Sequence, residues 1–274
     1  KTNTAYFFIS SPDFNKSLIN NSSQVTSRKK FIDTIVEIDT GTGSSAPTAL
    51  PVVVDVWAII DTTSSGLLES NNDNVGLWRK FEVQVVDGVR VGMTVQFYNS
   101  NSIPLLENGP QEIQEIETNS LGGGEIVLYS EQESINWDDV SFVMFRSQKR
   151  VLNFNTHTKI TGINVIDDLL FWTDNESEPK KINIKRCKEG SIAGNSLEDS
   201  DWLRHTQLKL KNPNDSDELV DYTDDLESSL SPSVNNDLKE EHLTVIRRAP
   251  LMAPTIEMRR TDRESQVTFI PNYF

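Results

Sequence analysis

Short runs of apolar or alternating residues recur along the chain, each closed by a cluster of Gly, Asn, Asp, Ser or Pro. The runs are TAYFFIS (4–10), FIDTIVEI (31–38), ALPVVVDVWAII (49–60), WRKFEVQVV (78–86), MTVQFY (93–98), QEIQEIET (111–118), GEIVLYS (124–130) and VSFVMFRS (140–147). β-Branched and aromatic residues at this spacing predict strands, and the intervening DTGTGSSAP, DGVRVG, NSNSIP, SLGGG and SINWDD predict turns. Residues 31–150 are therefore expected to form a small antiparallel β-barrel or sandwich. DGVRVGMTVQF reads as a hairpin with Asp87-Gly88 at its tip.

Beyond it, GINVIDDLLFWTDNESEPKKINI (162–184) reads as a buried strand over 163–172, a polar turn over 173–179 and an alternating strand over 181–185. The character then changes. Between Asn195 and Glu241 there are 13 Asp or Glu against 4 Lys or Arg, so 190–241 is expected to be an acidic, loop-rich insertion. Within it, SLEDSDWLRHTQLKLK predicts a short helix opened by Ser196, and DELVDYTDDLESS a second with Leu219, Tyr222 and Leu226 on one face. HLTVIRR (242–248) reads as a strand, with Pro250 and Pro254 stiffening an extended exit. The organisation expected is an N-terminal strand and polar linker (1–30), the barrel or sandwich (31–150), and a last β segment carrying the insertion (151–274). Lys1 at the start and VTFIPNYF near the end suggest an ordered portion of a longer polypeptide.

The net charge of −15 argues against a reader of nucleic acid, although an acidic wall keeps a DNA passage from sticking. Leu50 to Ile60 is the longest apolar run, and it is short and interrupted by Asp55, so it predicts a strand and no membrane span. The single cysteine, Cys187, forms no internal disulfide or zinc cluster and reads as buried and idle.

Candidate chemistry is sparse. His157, His205 and His242 stand far apart, and no HExxH, GxSxG, GxGxxG or P-loop pattern occurs. SLGGGE reads as a hairpin turn. Asp174, Asn175, Glu176 and Glu178, and separately Asn212, Asn214, Asp215, Asp217 and Glu218, offer oxygen ligands, but neither set follows the twelve-residue calcium loop. No enzyme, cofactor or metal site is expected. A hydrolase of cell-wall polymer is the least favoured reading. A receptor- or glycan-binding module is the alternative, with Trp78, Trp137 and Tyr98 as stacking candidates.

LFWTDN (170–175) resembles the YWTD signature of receptor β-propellers, which repeats once per blade and occurs once here. A longer stretch, ITGINVIDDLLFWTDNESEPKKINIKRC (160–187) with EEHLTVIRRAPLMAPTIEM (240–258), resembles the tail stabilisation proteins of crAss-like short-tailed bacteriophages, relatives of the tail hub or nozzle of other podoviruses. The resemblance implies part of a propeller-like sheet after the barrel or sandwich. It further implies a non-catalytic virion protein, synthesised in the host cytoplasm, whose copies form a homo-oligomeric ring. That ring would sit beside other tail or portal-associated proteins around the DNA exit channel. In that frame Phe171, Trp172, Thr173, Asp174, Asn175 and Pro179 form a structural motif. Asp215, Asp217, Glu218, Asp221, Asp224, Asp225 and Glu227 are the candidate interface or lumen residues.

Overall fold

The apolar runs of the first half assemble into one antiparallel sheet. The structure is a computed structural model describing residues 4–11, 28–39, 48–62, 67–68, 78–118, 123–133, 135–154, 157, 159–191, 204–211, 219–221 and 236–245. The strands are β1 (Thr4–Ser10), β2 (Lys29–Asp39), β3 (Thr48–Thr62), β4 (Leu67–Leu68), β5 (Trp78–Val83), β6 (Met93–Tyr98), β7 (Gln111–Thr118), β8 (Gly124–Gln132) and β9 (Phe142–Ser147). Their order across the sheet is β1-β2-β3-β9-β6-β7-β8-β5-β4. The chain is mainly β, as expected.

The sheet folds over itself at β7. Gln111 and Glu112 pair with β6, whereas the strand from Ile113 onward pairs with β8, with a register shift between Ile113 and Glu115. Bulges of this kind bend a strand and increase its twist. The fold brings Phe81, Ile126 and Leu128 into one core with Val95, Phe97 and Phe145, all fully buried. Each such side chain stabilises the fold by roughly 1.5–3 kcal/mol relative to exposure. Gly124 lets β7 and β8 close as a hairpin, because a Cβ there would lie 2.2 Å from the Glu117 carbonyl oxygen.

β1 and β4 end the ladder without pairing to each other, so the sheet forms no closed barrel among the described residues. Side chains tie the start of β2 and the end of β3 to the loop after β5. Arg28 donates to the Val85 carbonyl at 2.7 Å and also reaches Asp61 and the Asp87 carbonyl, while Lys30 pairs with Asp87. The Asp87-Gly88 turn is present, with Val89 N–H donating to Val86 and Gly88 at φ +79°. It does not make the expected hairpin: β5 pairs with β8 and β6 with β9.

β3 is buried along both faces, which is why 52–60 reads as a continuous apolar run with little alternation. One face, through Val54, Val56 and Ile59, joins the main core. The other splits, with Trp57, Ala58 and Ile60 packing on Phe142 and Met144, and Val52 and Val53 packing under the C-terminal elements.

Those elements are β10 (Gly162–Ile166), β11 (Leu169–Thr173), β12 (Lys180–Asn183), helix α1 (Ile184–Ser191), β13 (Lys209–Lys211), β14 (Leu219–Asp221) and a short helix α2 (Glu240–Leu243). Several expectations are corrected here. Residues 163–172 are two strands, because Asp167 adopts a left-handed φ of +53° and turns the chain between β10 and β11. The strand expected over 181–185 stops at Asn183, whose Oδ1 accepts the Arg186 N–H at 2.9 Å and so opens α1 as an N-cap. Residues 204–211 and 219–221 are extended where helices were expected. Residues 240–243 are helical where a strand was expected from 242, leaving Thr244 to make one bridge to Lys180. The β10-β11-β12 sheet has three strands, and no propeller is formed among the described residues. Ser196, Tyr222, Leu226, Pro250 and Pro254 lie outside them.

Candidate functional site

β3 needs partners along two edges, and β9 supplies only half of one. Ala58 to Thr62 pair with β9, but the stretch from Val52 to Val56 has no strand on that side among the described residues. Buried backbone groups left this way cost free energy unless something else bonds them. Four side chains and one short segment do so. Ser191 Oγ donates to the Val52 carbonyl at 2.9 Å, and Thr206 Oγ1 accepts the Val54 N–H at 2.8 Å. Thr206 N–H donates to the Val54 carbonyl at 2.9 Å, and Arg90 Nη2 donates to the Val56 carbonyl at 2.6 Å. His205 Nδ1 accepts the Val56 N–H at 3.2 Å.

That last bond fixes the tautomer. Nδ1 is the acceptor, so the ring proton sits on Nε2, which lies 2.9 Å from the Leu238 carbonyl. Arg90 Nη1 stands 3.0 Å from the same nitrogen. Burial, with the Arg90 charge added to it, holds His205 well below its ordinary pKa. Arg90 in turn faces Asp237 at 3.7 Å and Ser147 Oγ at 2.8 Å.

Asp55 lies beside this ring. Its Oδ2 accepts the N–H groups of Val151 and Leu152 at 2.6 and 3.0 Å, while its Oδ1 has no hydrogen-bond partner and stands 3.6 Å from His205 Nδ1. Burial pushes the carboxyl up to about 6, against those two bonds and the charge of Arg90. Asp33, one strand over in register with Asp55, is held by Arg150 and by the Phe154 N–H at 3.0 Å. Burial raises Asp33 too, with Arg150 opposing it. The arrangement binds backbone to backbone across the molecule. Both nitrogens of the buried histidine and both hydroxyls beside it already contact other groups of the chain.

The turn after β11 is built around Asp174. Its Oδ1 accepts the N–H groups of Glu176 and Ser177 at 3.0 and 2.7 Å, and its Oδ2 accepts Ser177 Oγ at 2.7 Å. Lys180 approaches at 3.4 Å. Burial alone would raise this carboxyl, but the Ser177 and Glu176 bonds and the Lys180 charge together bring it down to about 2. Asn175 sits at φ +63°, and Thr173 Oγ1 accepts its N–H at 3.4 Å. Lys180 is only 3% exposed and closes the turn. The Pro179 carbonyl accepts the Val245 N–H. Trp172 is buried edge-on against Phe8 at 5.8 Å, and Phe171 is half-buried.

Of the acidic candidates, Asp221 ends β14. Asp215, Asp217, Glu218, Asp224, Asp225 and Glu227 lie outside the described residues, as do Asn212 and Asn214. Trp78 is buried against Phe81, Phe97 and Trp137, and Tyr98 stacks on Phe142, so all three stacking candidates contribute to packing. His242 Nδ1 accepts the Lys239 N–H at the start of α2. Cys187 is buried, and burial pushes its thiol up to about 12. A shallow cleft of about 150 Å³ between 105–108 and 132–136 lies apart from the His205 cluster. Among the described residues no three metal-ligating side chains converge, and no helix is long and apolar enough to cross a membrane.

Several exposed apolar side chains lie on β1 and β10, strands that end their sheets among the described residues. Phe7 and Ile9 of β1 are 48% exposed, and Ile163, Val165 and Ile166 of β10 are 52, 44 and 52% exposed. Ile163 and Val165 share a face with buried Trp172 and Leu170, their register partners on β11. β11 already lies against the last strand of the large sheet, through Trp172 and Phe8. β10 therefore overhangs it.

Comparison of the chain with protein-family models, curated proteins and solved structures gives no match.

Proposed function

We propose that the chain is a structural subunit of a short phage tail, a ring-forming nozzle or hub component that lines or stabilises the DNA exit channel. The observation that carries this reading is the pair of uncharged, half-exposed edge strands, β1 and β10. Soluble monomers usually blunt such edges with charge or proline, and an apolar edge left open suits pairing with a neighbouring subunit. The likeness of 160–187 and 240–258 to tail stabilisation proteins supports the same assignment. In this reading β10-β11-β12 is a propeller-like unit, and the acidic insertion faces a neighbour or the lumen, where its charge keeps passing DNA from adhering.

The test is electron microscopy of purified particles labelled with an antibody against residues 210–230. Label at the tail supports a virion role. No label on intact or disrupted particles, with the antibody proven on denatured protein, overturns it. In parallel, Ile163→Lys with Val165→Lys should shift the purified chain from oligomer to monomer in sedimentation velocity. An unchanged distribution would remove β10 from the assembly surface.

A further inference from the structure

The His205 cluster couples a buried base to the contacts that, among the described residues, seal the free half of β3. Segment 204–208 lies along that edge, and segment 236–239 lies on its outer side. Leu208 N–H donates to the Asn236 carbonyl at 2.7 Å, and Leu238 N–H to the Thr206 carbonyl at 2.9 Å. Gln207 N–H donates to the Gly190 carbonyl at 3.0 Å, tying the pair to the end of α1. Yet along β3 a single backbone-to-backbone bond among the described residues, Thr206 to Val54, replaces a ladder. The rest is side-chain work centred on His205 and Thr206.

We propose that segments 204–208 and 236–239 form an acid-released strap, seated on β3 by the neutral ring of His205 and unseated when that ring takes a second proton. A proton on Nδ1 would turn an acceptor into a donor facing the Val56 N–H, so the bond that seats the ring becomes a clash of two donors. The same proton adds a positive charge to a ring already 3.0 Å from Arg90, inside a site that is 3% exposed.

The surrounding charges set the direction. From β3, Asp55 faces the ring at 3.6 Å; behind it on β2, Asp33 is engaged by Arg150. From the loop before β6 comes Arg90, and from the strap itself come Asp237, which pairs with Arg90, and Arg204, which reaches Gln207 at 2.7 Å. Lys239 adds positive charge near Asp237. From β9 and α1 the facing groups are the hydroxyls of Ser147 and Ser191. Among the described residues Asp55 is the one anion placed to accept an imidazolium. It takes up its own proton near pH 6, so it loses its charge over the range in which the ring would need it. The sign follows: the seated state disfavours protonated His205, whereas a released histidine binds a proton below about 6.5. The strap is fully held above that pH and loosens as pH falls beneath it.

Hydrogen exchange of the full chain, corrected for intrinsic rates, reads this out between pH 7 and pH 4.5. The amides of Val54, Val56, Thr206, Leu208 and Leu238 should lose protection by about tenfold per pH unit below the onset, one proton being bound by His205 on release while Asp55, still held by the Val151 and Leu152 N–H groups, keeps its own. Phe81, Val95 and Leu128 in the main core should hold theirs. His205→Asn, whose Oδ1 can still accept from Val56, should abolish the pH dependence, whereas Asp237→Asn should retain it. Nitrogen-15 spectra of labelled histidine provide a check independent of any variant. They should show His205 as the Nε2–H form at pH 7, taking its second proton only in step with the loss of strap protection. Uniform exchange across strap and core, equal acid release in His205→Asn, or protonation of His205 with the strap still protected would each overturn the proposal.

Discussion

Arg150 grips Asp33 with two arms, Nε to Oδ2 at 3.0 Å and Nη2 to Oδ1 at 2.6 Å, and lays its guanidinium 4.3 Å from the centre of the Trp57 ring. The carboxylate is completely buried, and the same arginine also reaches the Phe154 carbonyl. One planar cation thus joins β2, the outer face of β3 and the chain leaving β9.

Removing the arginine would strand the carboxylate in the interior. Arg150→Ala should destabilise the chain by about 3–5 kcal/mol, the usual cost of breaking a buried pair. Arg150→Lys should recover only part of this, since an ammonium can neither hold both oxygens in that fork nor stack on the indole. Urea midpoints of the two variants, with Asp33→Asn added to each, would show whether the loss comes from the stranded charge.

Asp55→Asn should stabilise the protein at neutral pH. Both N–H donors bond to Oδ2 alone, so an amide oxygen in that position keeps them, and the amide nitrogen takes the place of the unpartnered Oδ1. A carboxyl raised to about 6 when folded favours folding where it is protonated, and that advantage is lost as pH rises from about 4 to 6. The gain of the variant should therefore be near zero at pH 4 and reach roughly 2–3 kcal/mol above pH 7. Denaturation curves across that range check it.

Asp174 predicts the opposite slope. Its carboxyl is held at about 2, so its contribution is full above the ordinary value near 4 and is lost as pH falls toward 2. Asp174→Ala should cost about 1–2 kcal/mol at pH 7 by leaving the Ser177 and Glu176 donors unpaired. It should also flatten the acid limb of the stability profile measured by thermal unfolding.

Trp172→Phe should be far better tolerated than Trp172→Ala. The indole nitrogen is buried without a hydrogen-bond partner, so phenylalanine sacrifices volume and no bond. The alanine variant opens a cavity beneath Phe8 and should lose about 3–5 kcal/mol in equilibrium unfolding.

The first half of the chain was largely legible because most strands there carry their own apolar pattern and their own turn residues. Met93–Tyr98 and Gln111–Thr118 fall where the pattern puts them. Over 163–172 the apolar run masked a turn, since Asp167-Asp168 is a short break with apolar side chains directly on both sides. Over 181–185 alternation predicted a strand, but Asn183 is also a helix cap, and the cap prevailed. The Asp55–His205 cluster was the least legible. Its one local signal was a carboxylate in the middle of a buried strand, read only as a break in an apolar run. Its partners lie 149 and 152 residues away for His205 with Val56 and Thr206 with Val54. No pattern within a short window can report such a pairing.

That distance also has a consequence for biosynthesis. A ribosome adding about 5–20 residues per second needs on the order of 8–30 s to pass from Val54 to Thr206. Through that interval the half of β3 beyond the reach of β9 lacks the groups that finally seal it, and nascent β3 is rich in valine and isoleucine with a bare edge. Yield in the cell should accordingly depend on how fast the late residues arrive and on what shields β3 meanwhile, even for variants whose mature stability is unaltered.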